Sequence, residues 1–384
     1  MAPRRRVVPI VLSVALTGAI AVGGVLWARH GSSESGAKAA PSSVPTPRPA
    51  APTCGDPLAM PLRDKLAQLL MVGVTDAGDA RAVVTNHHVG GLFVGSWTDL
   101  SMLTDGSLGE IVTSGGSLRV AVSVDEEGGR VSRLSGLIGE APSARVLASS
   151  ATPDQVYAQA LQRGQAMRNL GITIDFAPVV DVSNQPDDTV IGDRSFSDNP
   201  ETVTQYAGAY ARGLRDAGLL PVLKHFPGHG HGSGDTHTAS VVTPPLAELE
   251  TNDLVPYRSL IGQGPVAVMV GHMQVPGLTG ETPASLSPAA YGLLRGGVGF
   301  GGLVFTDDLS SMQAISDRYD VPQAVLLSLQ AGADIALWVT TAEVPAVLDR
   351  LESAVNSGEL HVGAVDDKLG RIAAVKGRNP QCGR

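Results

Sequence analysis

Eight short segments of nearly continuous apolar character recur along the chain, and they limit its fold more than any other feature. They are Leu70–Val74, Gly91–Val94, Val120–Val124, Ile172–Val180, Val222–His225, Val266–Val270, Leu303–Thr306 and Ile335–Val339. Segments this short, without polar alternation, suit parallel strands covered on both faces. Between several of them the apolar residues take a helical period, most clearly over Pro153–Leu170, Pro200–Ala217 and Pro322–Ala331. Each begins at or near a Pro and stops at a Gly (Gly171, Gly218 and Gly332), the asymmetry typical of helix ends. Strand, polar loop, helix, glycine is the repeat unit of an α/β protein. Eight such strands in about 320 residues predict a single (β/α)8 TIM-type barrel, with a doubly wound open sheet as the alternative. The barrel is preferred because Asp125, Asp181, Lys224, His225, His272 and Asp307 all fall at or just past strand C-termini. Those ends converge on one face of a barrel.

The chain before the first strand has a different character. Arg4, Arg5 and Arg6 precede an uncharged, mostly apolar run from Val7 to Trp27, about long enough to span a bilayer. The basic flank predicts a cytoplasmic N-terminus and an extracytoplasmic remainder. Residues 1–30 therefore read as a signal anchor, or as a signal peptide cleaved near Ala37-Lys38-Ala39. The run exceeds a usual signal core, which favours the uncleaved anchor. The triple Arg hints at twin-arginine export, and the lack of a Cys close behind the run argues against a lipid anchor. Residues 31–53 carry Pro at 41, 45, 47, 49 and 52, among Ser and Ala, the composition of an extended spacer. The folded domain is expected over 54–384. Its only cysteines, Cys54 and Cys382, bracket it, and in an exported chain they predict a disulfide tying the ends together, with two separate thiols as the alternative. A net charge of -9, with no basic face beyond the N-terminus, argues against nucleic acid as a partner.

Four segments carry possible chemistry. Lys224-His-Phe-Pro-Gly-His-Gly-His-Gly-Ser-Gly-Asp-Thr-His237 packs four histidines and four glycines into a loop after the fifth strand. A metal site is an alternative there, but Phe226-Pro227-Gly228 disfavours the helix that would bring His225 and His229 to one ion. Asp235 and His237 form the better pair. Two apart in an extended loop, they can point to one side, and the carboxylate would fix the imidazole tautomer for acid/base work. Gly302-Leu-Val-Phe-Thr-Asp307-Asp308 delivers two adjacent carboxylates to the barrel mouth. Strand alternation predicts that only one of them faces the axis squarely, and either could instead cap the next helix. Asp125-Glu126-Glu127-Gly-Gly-Arg130 and Arg133 follow the third strand, and Arg194 follows the fourth. Such mixtures suit hydroxyl-rich or anionic ligands, or form a surface ion-pair network.

Together these segments resemble glycoside hydrolase family 3, specifically its β-N-acetylhexosaminidase branch. The resemblance rests on Val124-Asp-Glu-Glu-Gly-Gly-Arg-Val-Ser-Arg133, Asp175-Phe-Ala-Pro-Val-Val-Asp181, Ile191-Gly-Asp-Arg-Ser-Phe196, Lys224–His237 and Phe305-Thr-Asp-Asp-Leu309, and covers about residues 60 to 375. It implies a retaining mechanism, with Asp307 as nucleophile and His237, oriented by Asp235, as acid and base. The usual second carboxyl of a retaining enzyme lies about 5–5.5 Å from the first, and here a His–Asp pair takes its place. The resemblance also implies that Asp125, Arg133, Arg194, Lys224 and His225 bind hydroxyls of the terminal sugar. Asp308 stands where glucosidase branches of the family usually carry Trp. The loop departs from the family pattern in His231, Gly232 and Gly234, and the extra glycines are expected to loosen it. Glu126 replaces a frequent Gln beside the sugar site, which is expected to alter fine preference.

The expected function is an extracytoplasmic exo-β-N-acetylglucosaminidase, membrane-anchored or secreted, acting on muropeptides or related N-acetylglucosamine glycans. No metal or organic cofactor is implied, and a monomer is expected. Phosphorolysis of the same bond is the nearest alternative, and a catalytically silent wall-binding barrel is another.

Overall fold

The computed structural model describes residues 54–379 and Cys382. The expected N-terminal segment 1–30 and spacer 31–53 lie outside the described residues. Among the described residues no helix is long and apolar enough to cross a membrane.

Eight parallel strands close into a barrel: β1 Leu70–Val74, β2 Gly91–Val94, β3 Ala121–Val124, β4 Ile174–Asp175, β5 Leu220–Phe226, β6 Ala267–Val270, β7 Val304–Asp308 and β8 Ile335–Trp338. Each pairs with its neighbours in sequence, and β8 closes on β1 with Leu70 opposite Ala336 and Met71 opposite Leu337. The barrel expected from the apolar repeat is the observed fold. One strand is far shorter than its sequence implies. Regular pairing in β4 stops at Asp175, although the apolar run continues to Val180. Pro178 has no N–H to give a neighbour, so the chain continues as irregular extended backbone, with Val180 N donating to Lys224 O.

The three predicted helices form over Pro153–Asn169, Pro200–Asp216 and Val321–Ala331. Thr152 and Gln155 build a capping box on the first, while Asn199 and Asp320 accept from the opening amides of the others. Each such cap contributes about 1 kcal/mol. The following glycines, Gly171 at φ 88° and Gly218 at φ 85°, turn the chain through the left-handed region that other residues avoid. Inside the barrel, Phe93, Phe176 and Phe305 form a file of rings, 5.8 Å and 5.4 Å between successive centroids. This file makes an apolar floor under the strand C-termini.

Two irregularities in the barrel bear on the site. Between Leu223 and Phe226, three steps along β5 match two along β6, from Val268 to Val270. Between Phe305 and Asp308, three steps along β7 match two along β8. These are bulges, and a bulge breaks the strict in–out alternation of a strand. Lys224 with His225, and Asp307 with Asp308, therefore all line the cavity at the barrel mouth. The peptide bond between Lys224 and His225 is cis. The alternation expected for Asp307 and Asp308 fails for this reason.

Cys54 and Cys382 form a disulfide across 328 positions of sequence. Such a link restricts the unfolded chain far more than the folded one. Replacing both cysteines with Ala is expected to cost about 2–4 kcal/mol and to lower Tm by several degrees. A thermal melt checks this, and adding reductant should shift the native protein but not the double variant.

Candidate active site

The barrel mouth opens into a cavity of about 330 Å³ at the C-terminal ends of the strands. Its inner wall is a connected file of charges. Lys224 Nζ lies 2.6 Å from both Asp125 and Glu127. Glu127 also accepts two hydrogen bonds from Arg194, each 2.8 Å, in a fork-on-fork arrangement. Arg194 reaches His225 Nε2 at 3.3 Å, and His225 Nδ1 lies 2.6 Å from Asp181. Asp181 then accepts from the backbone N–H of His229 at 2.7 Å.

Burial alone would raise the Glu127 carboxyl, but Arg194 and Lys224 hold it well below its ordinary range. Burial would likewise depress the Lys224 ammonium, but Asp125 and Glu127 keep it above its ordinary value. Asp181 is fully buried, which would raise it, yet contact with His225 leaves it lowered. Glu127, Asp181 and Lys224 are thus held in their charged forms, and every member of the file is held by a neighbour. A rigid set of donors and acceptors of this kind can grip ring hydroxyls without first reorganising. Arg133 also lines the cavity, and its guanidinium makes no hydrogen bond or ion pair among the described residues, so it is open to a ligand.

The two carboxylates of β7 are differently engaged. Asp308 accepts from the backbone N–H and hydroxyl of both Ser310 and Ser311, so its oxygens are spent on holding the following turn. Asp307 accepts only from the backbone N–H of Asp308, at 2.9 Å, which leaves its second oxygen open. Burial would raise the Asp307 carboxyl, but His225, His272 and Lys224 nearby hold it below its ordinary value. An ionised carboxylate with one free oxygen is suited to attack an electrophilic carbon. His272 supports this strand end. One ring nitrogen bonds the Asp308 carbonyl and the other Ser285 Oγ, both at 2.7 Å.

The loop after β5 divides into a fixed and an exposed part. A Cβ on Gly230 would lie 1.9 Å from the Val182 carbonyl, and one on Gly228 would lie 2.5 Å from Asp253. These glycines allow close packing rather than motion. The Gly230 carbonyl accepts from Ser183 Oγ, and the Gly232 carbonyl from Gln185. His231 Nδ1 meets Asp253 at 3.3 Å and ties the loop to the start of helix Leu254–Leu260. Beyond Gly232 most of the chain is exposed, with Thr236 buried among it. Of the two extra glycines, Gly232 is closely packed, with an added Cβ 2.9 Å from Val241, while at Gly234 an added Cβ meets only Val241 at 3.9 Å.

On this outer part His237 Nδ1 lies 2.7 Å from Asp235 Oδ1, which also accepts from His237 N–H at 2.9 Å. The pair expected from the sequence therefore forms. Burial would raise Asp235, but its bonds to His237 leave it lowered and thus ionised. The backbone carbonyls of Thr236 and His237 accept from Ala314 and Gln313, just beyond Asp307 on the chain. This contact holds the loop tip on the β7 side of the cavity, which both His237 and Asp307 line.

All eight predicted catalytic and sugar-binding residues line the one cavity. Two further residues, to which the sequence assigns no role of their own, complete the site. Glu127 joins Lys224 to Arg194, and Asp181 anchors His225 and the loop. The two-residue period of extended chain identifies the first, since Asp125 and Glu127 share a side and Glu126 faces away. The expectation that Glu126 borders the sugar is corrected accordingly. It is fully buried and binds Arg163, Ser132 and the N–H groups of Arg133 and Leu134, fixing the base of the Gly-Gly hairpin. His229 also lines the cavity, with neither ring nitrogen bonded among the described residues, and burial pushes its imidazole down to about 4. It is neutral at physiological pH. No group of three or more His, Cys, Asp or Glu converges to hold a metal ion among the described residues.

Comparison with known proteins agrees with this geometry. The chain matches the glycosyl hydrolase family 3 N terminal domain over residues 61–375. It is 65% identical over 360 residues to Beta-hexosaminidase LpqI of Mycobacterium tuberculosis, covering 92% of each chain. A solved glycosyl hydrolase of the same family from Mycobacterium smegmatis superposes with a TM-score of 0.84 at 72% identity, over 84% of this chain and 99% of that one. A family 3 beta-N-acetylglucosaminidase from Paenibacillus gives 0.78 at 35% identity, over 83% of this chain and 62% of that one. A closed barrel, a charged mouth and these relatives lead to one statement: the chain belongs to glycosyl hydrolase family 3 and is a glycoside hydrolase of the β-hexosaminidase kind.

Proposed function

We propose that this enzyme is a retaining exo-β-N-acetylglucosaminidase that removes terminal N-acetylglucosamine from muropeptides or related glycans. The observation that carries the reading is the Asp235–His237 pair at 2.7 Å, on a loop tip held over the cavity that contains Asp307. Asp235 keeps the proton on Nδ1 when His237 is neutral, so Nε2 is the nitrogen that works on substrate. In the first step Asp307 attacks the anomeric carbon while the Nε2–H of His237 protonates the departing oxygen. The glycosidic bond breaks and a glycosyl ester forms. In the second step Nε2 takes a proton from water, the resulting oxygen attacks the anomeric carbon, and Asp307 leaves as carboxylate. Two displacements at one carbon retain its configuration. Asp125, Arg133, Arg194, Lys224 and His225 hold the hydroxyls of the terminal sugar.

An extracytoplasmic location, anchored or secreted, belongs to the same proposal. The Cys54–Cys382 disulfide supports it, because such bonds persist in oxidising compartments. The test is to trap the ester with a fluorinated N-acetylglucosaminyl donor and map the label by peptide mass spectrometry. The label is expected on Asp307. A label on another residue, or turnover with no trapped ester, overturns the proposed mechanism.

A further inference from the structure

The large hydrophobic side chains left exposed on the described residues include one aromatic, Trp97, 45% open to solvent. It is also the only one of that set that lines the active-site cavity. An exposed indole that wandered would mean little, but this one is fixed. Thr98 donates to the Val74 carbonyl at 2.6 Å and accepts from Gly95 N–H at 3.0 Å, while Asp99 N–H bonds the Thr75 carbonyl. These bonds pin the turn after β2 to the end of β1. The indole packs edge-on against Phe93, with centroids 5.9 Å apart. A Cβ on Gly95 would lie 2.4 Å from the indole ring, so only glycine there lets the ring lie where it does. Trp97 thus extends the file Phe93–Phe176–Phe305 from the barrel axis to the rim.

Depth separates the two kinds of contact. The polar groups that would grip a terminal sugar are recessed, with Lys224 2% and His225 6% exposed. A sugar seated among them leaves its neighbour at the rim, beside the open indole. The C–H faces of a pyranose are apolar, and a rigid aromatic ring stacks on them at small entropic cost. We propose that Trp97 is the stacking platform for the leaving-group sugar, and that it selects substrates whose cleaved bond joins N-acetylglucosamine to another pyranose. This rests on the hydrolase reading above and deepens it.

The test compares two substrates in native, Trp97→Ala and Trp97→Phe enzymes. One is N,N′-diacetylchitobiose, whose leaving group is a pyranose. The other is N-acetylglucosaminyl fluoride, whose leaving group is a single atom. Trp97→Ala is expected to lower kcat/KM on the disaccharide about tenfold, while the fluoride changes by less than about twofold. Trp97→Phe, which keeps an aromatic face, should restore most of the loss. Equal losses on both substrates would assign Trp97 a structural role and overturn the proposal, as would unchanged turnover of the disaccharide. A native enzyme inert on both substrates, and that outcome alone, would overturn the hydrolase reading itself.

Discussion

Asp307→Ala is expected to lower kcat by about four orders of magnitude or more without unfolding the protein. The size of the effect follows from the lack of a substitute. Asp125 and Glu127 are committed to Lys224 and Arg194, and Asp308 is committed to Ser310 and Ser311. Asp307 has one oxygen free and its charge maintained, and among the described residues no cation bonds it directly as Lys224 bonds Asp125. Steady-state assay on an aryl N-acetylglucosaminide, with a thermal melt alongside, gives the answer. Activity within tenfold of native would assign the nucleophile elsewhere, and Asp308 would be the next residue to replace.

The second large effect is expected at His237, and its size depends on the leaving group. With a sugar or alkyl leaving group, which needs a proton to depart, His237→Ala should slow turnover by about 10²–10⁴-fold. With a dinitrophenyl leaving group the first step needs no acid and should proceed at nearly the native rate. The second step still lacks its base, so the glycosyl-enzyme accumulates, KM falls, and one equivalent of phenol appears as a burst. Azide, which attacks without a base, should restore turnover and give the β-azide. Pre-steady-state absorbance and product analysis measure each of these. A uniform loss across leaving groups would show that His237 positions the loop rather than moving protons.

Much of this architecture is legible in local sequence. The apolar runs, the Pro-started and Gly-stopped helices and the polar strand ends all report short-range preferences, and they assemble into the expected barrel. The Asp235–His237 pair is legible for the same reason, because two residues apart in extended chain can meet without help from the rest of the fold. The shortening of β4 is local too, since Pro178 announces it. Glu126 and Glu127 are told apart by the two-residue period of extended chain. Applied to Asp125, it places Glu127 in the site and turns Glu126 toward Arg163.

Other features had no local signal. Gly228 and Gly230, two of the four glycines in the loop after β5, are demanded by Asp253 and Val182, residues that approach from other parts of the chain. The burial of His229 in the cavity wall is likewise a property of its surroundings.

The sequence by itself determined the barrel, the end of the barrel that carries chemistry, and the residue types gathered there. The tertiary structure alone decided that Lys224 with His225, and Asp307 with Asp308, can each reach the mouth from adjacent positions. Alternation forbids that in a regular strand, and the bulges that permit it arise from the register between β5 and β6 and between β7 and β8. Register belongs to a pair of strands brought together from distant parts of the chain, so no single segment encodes it.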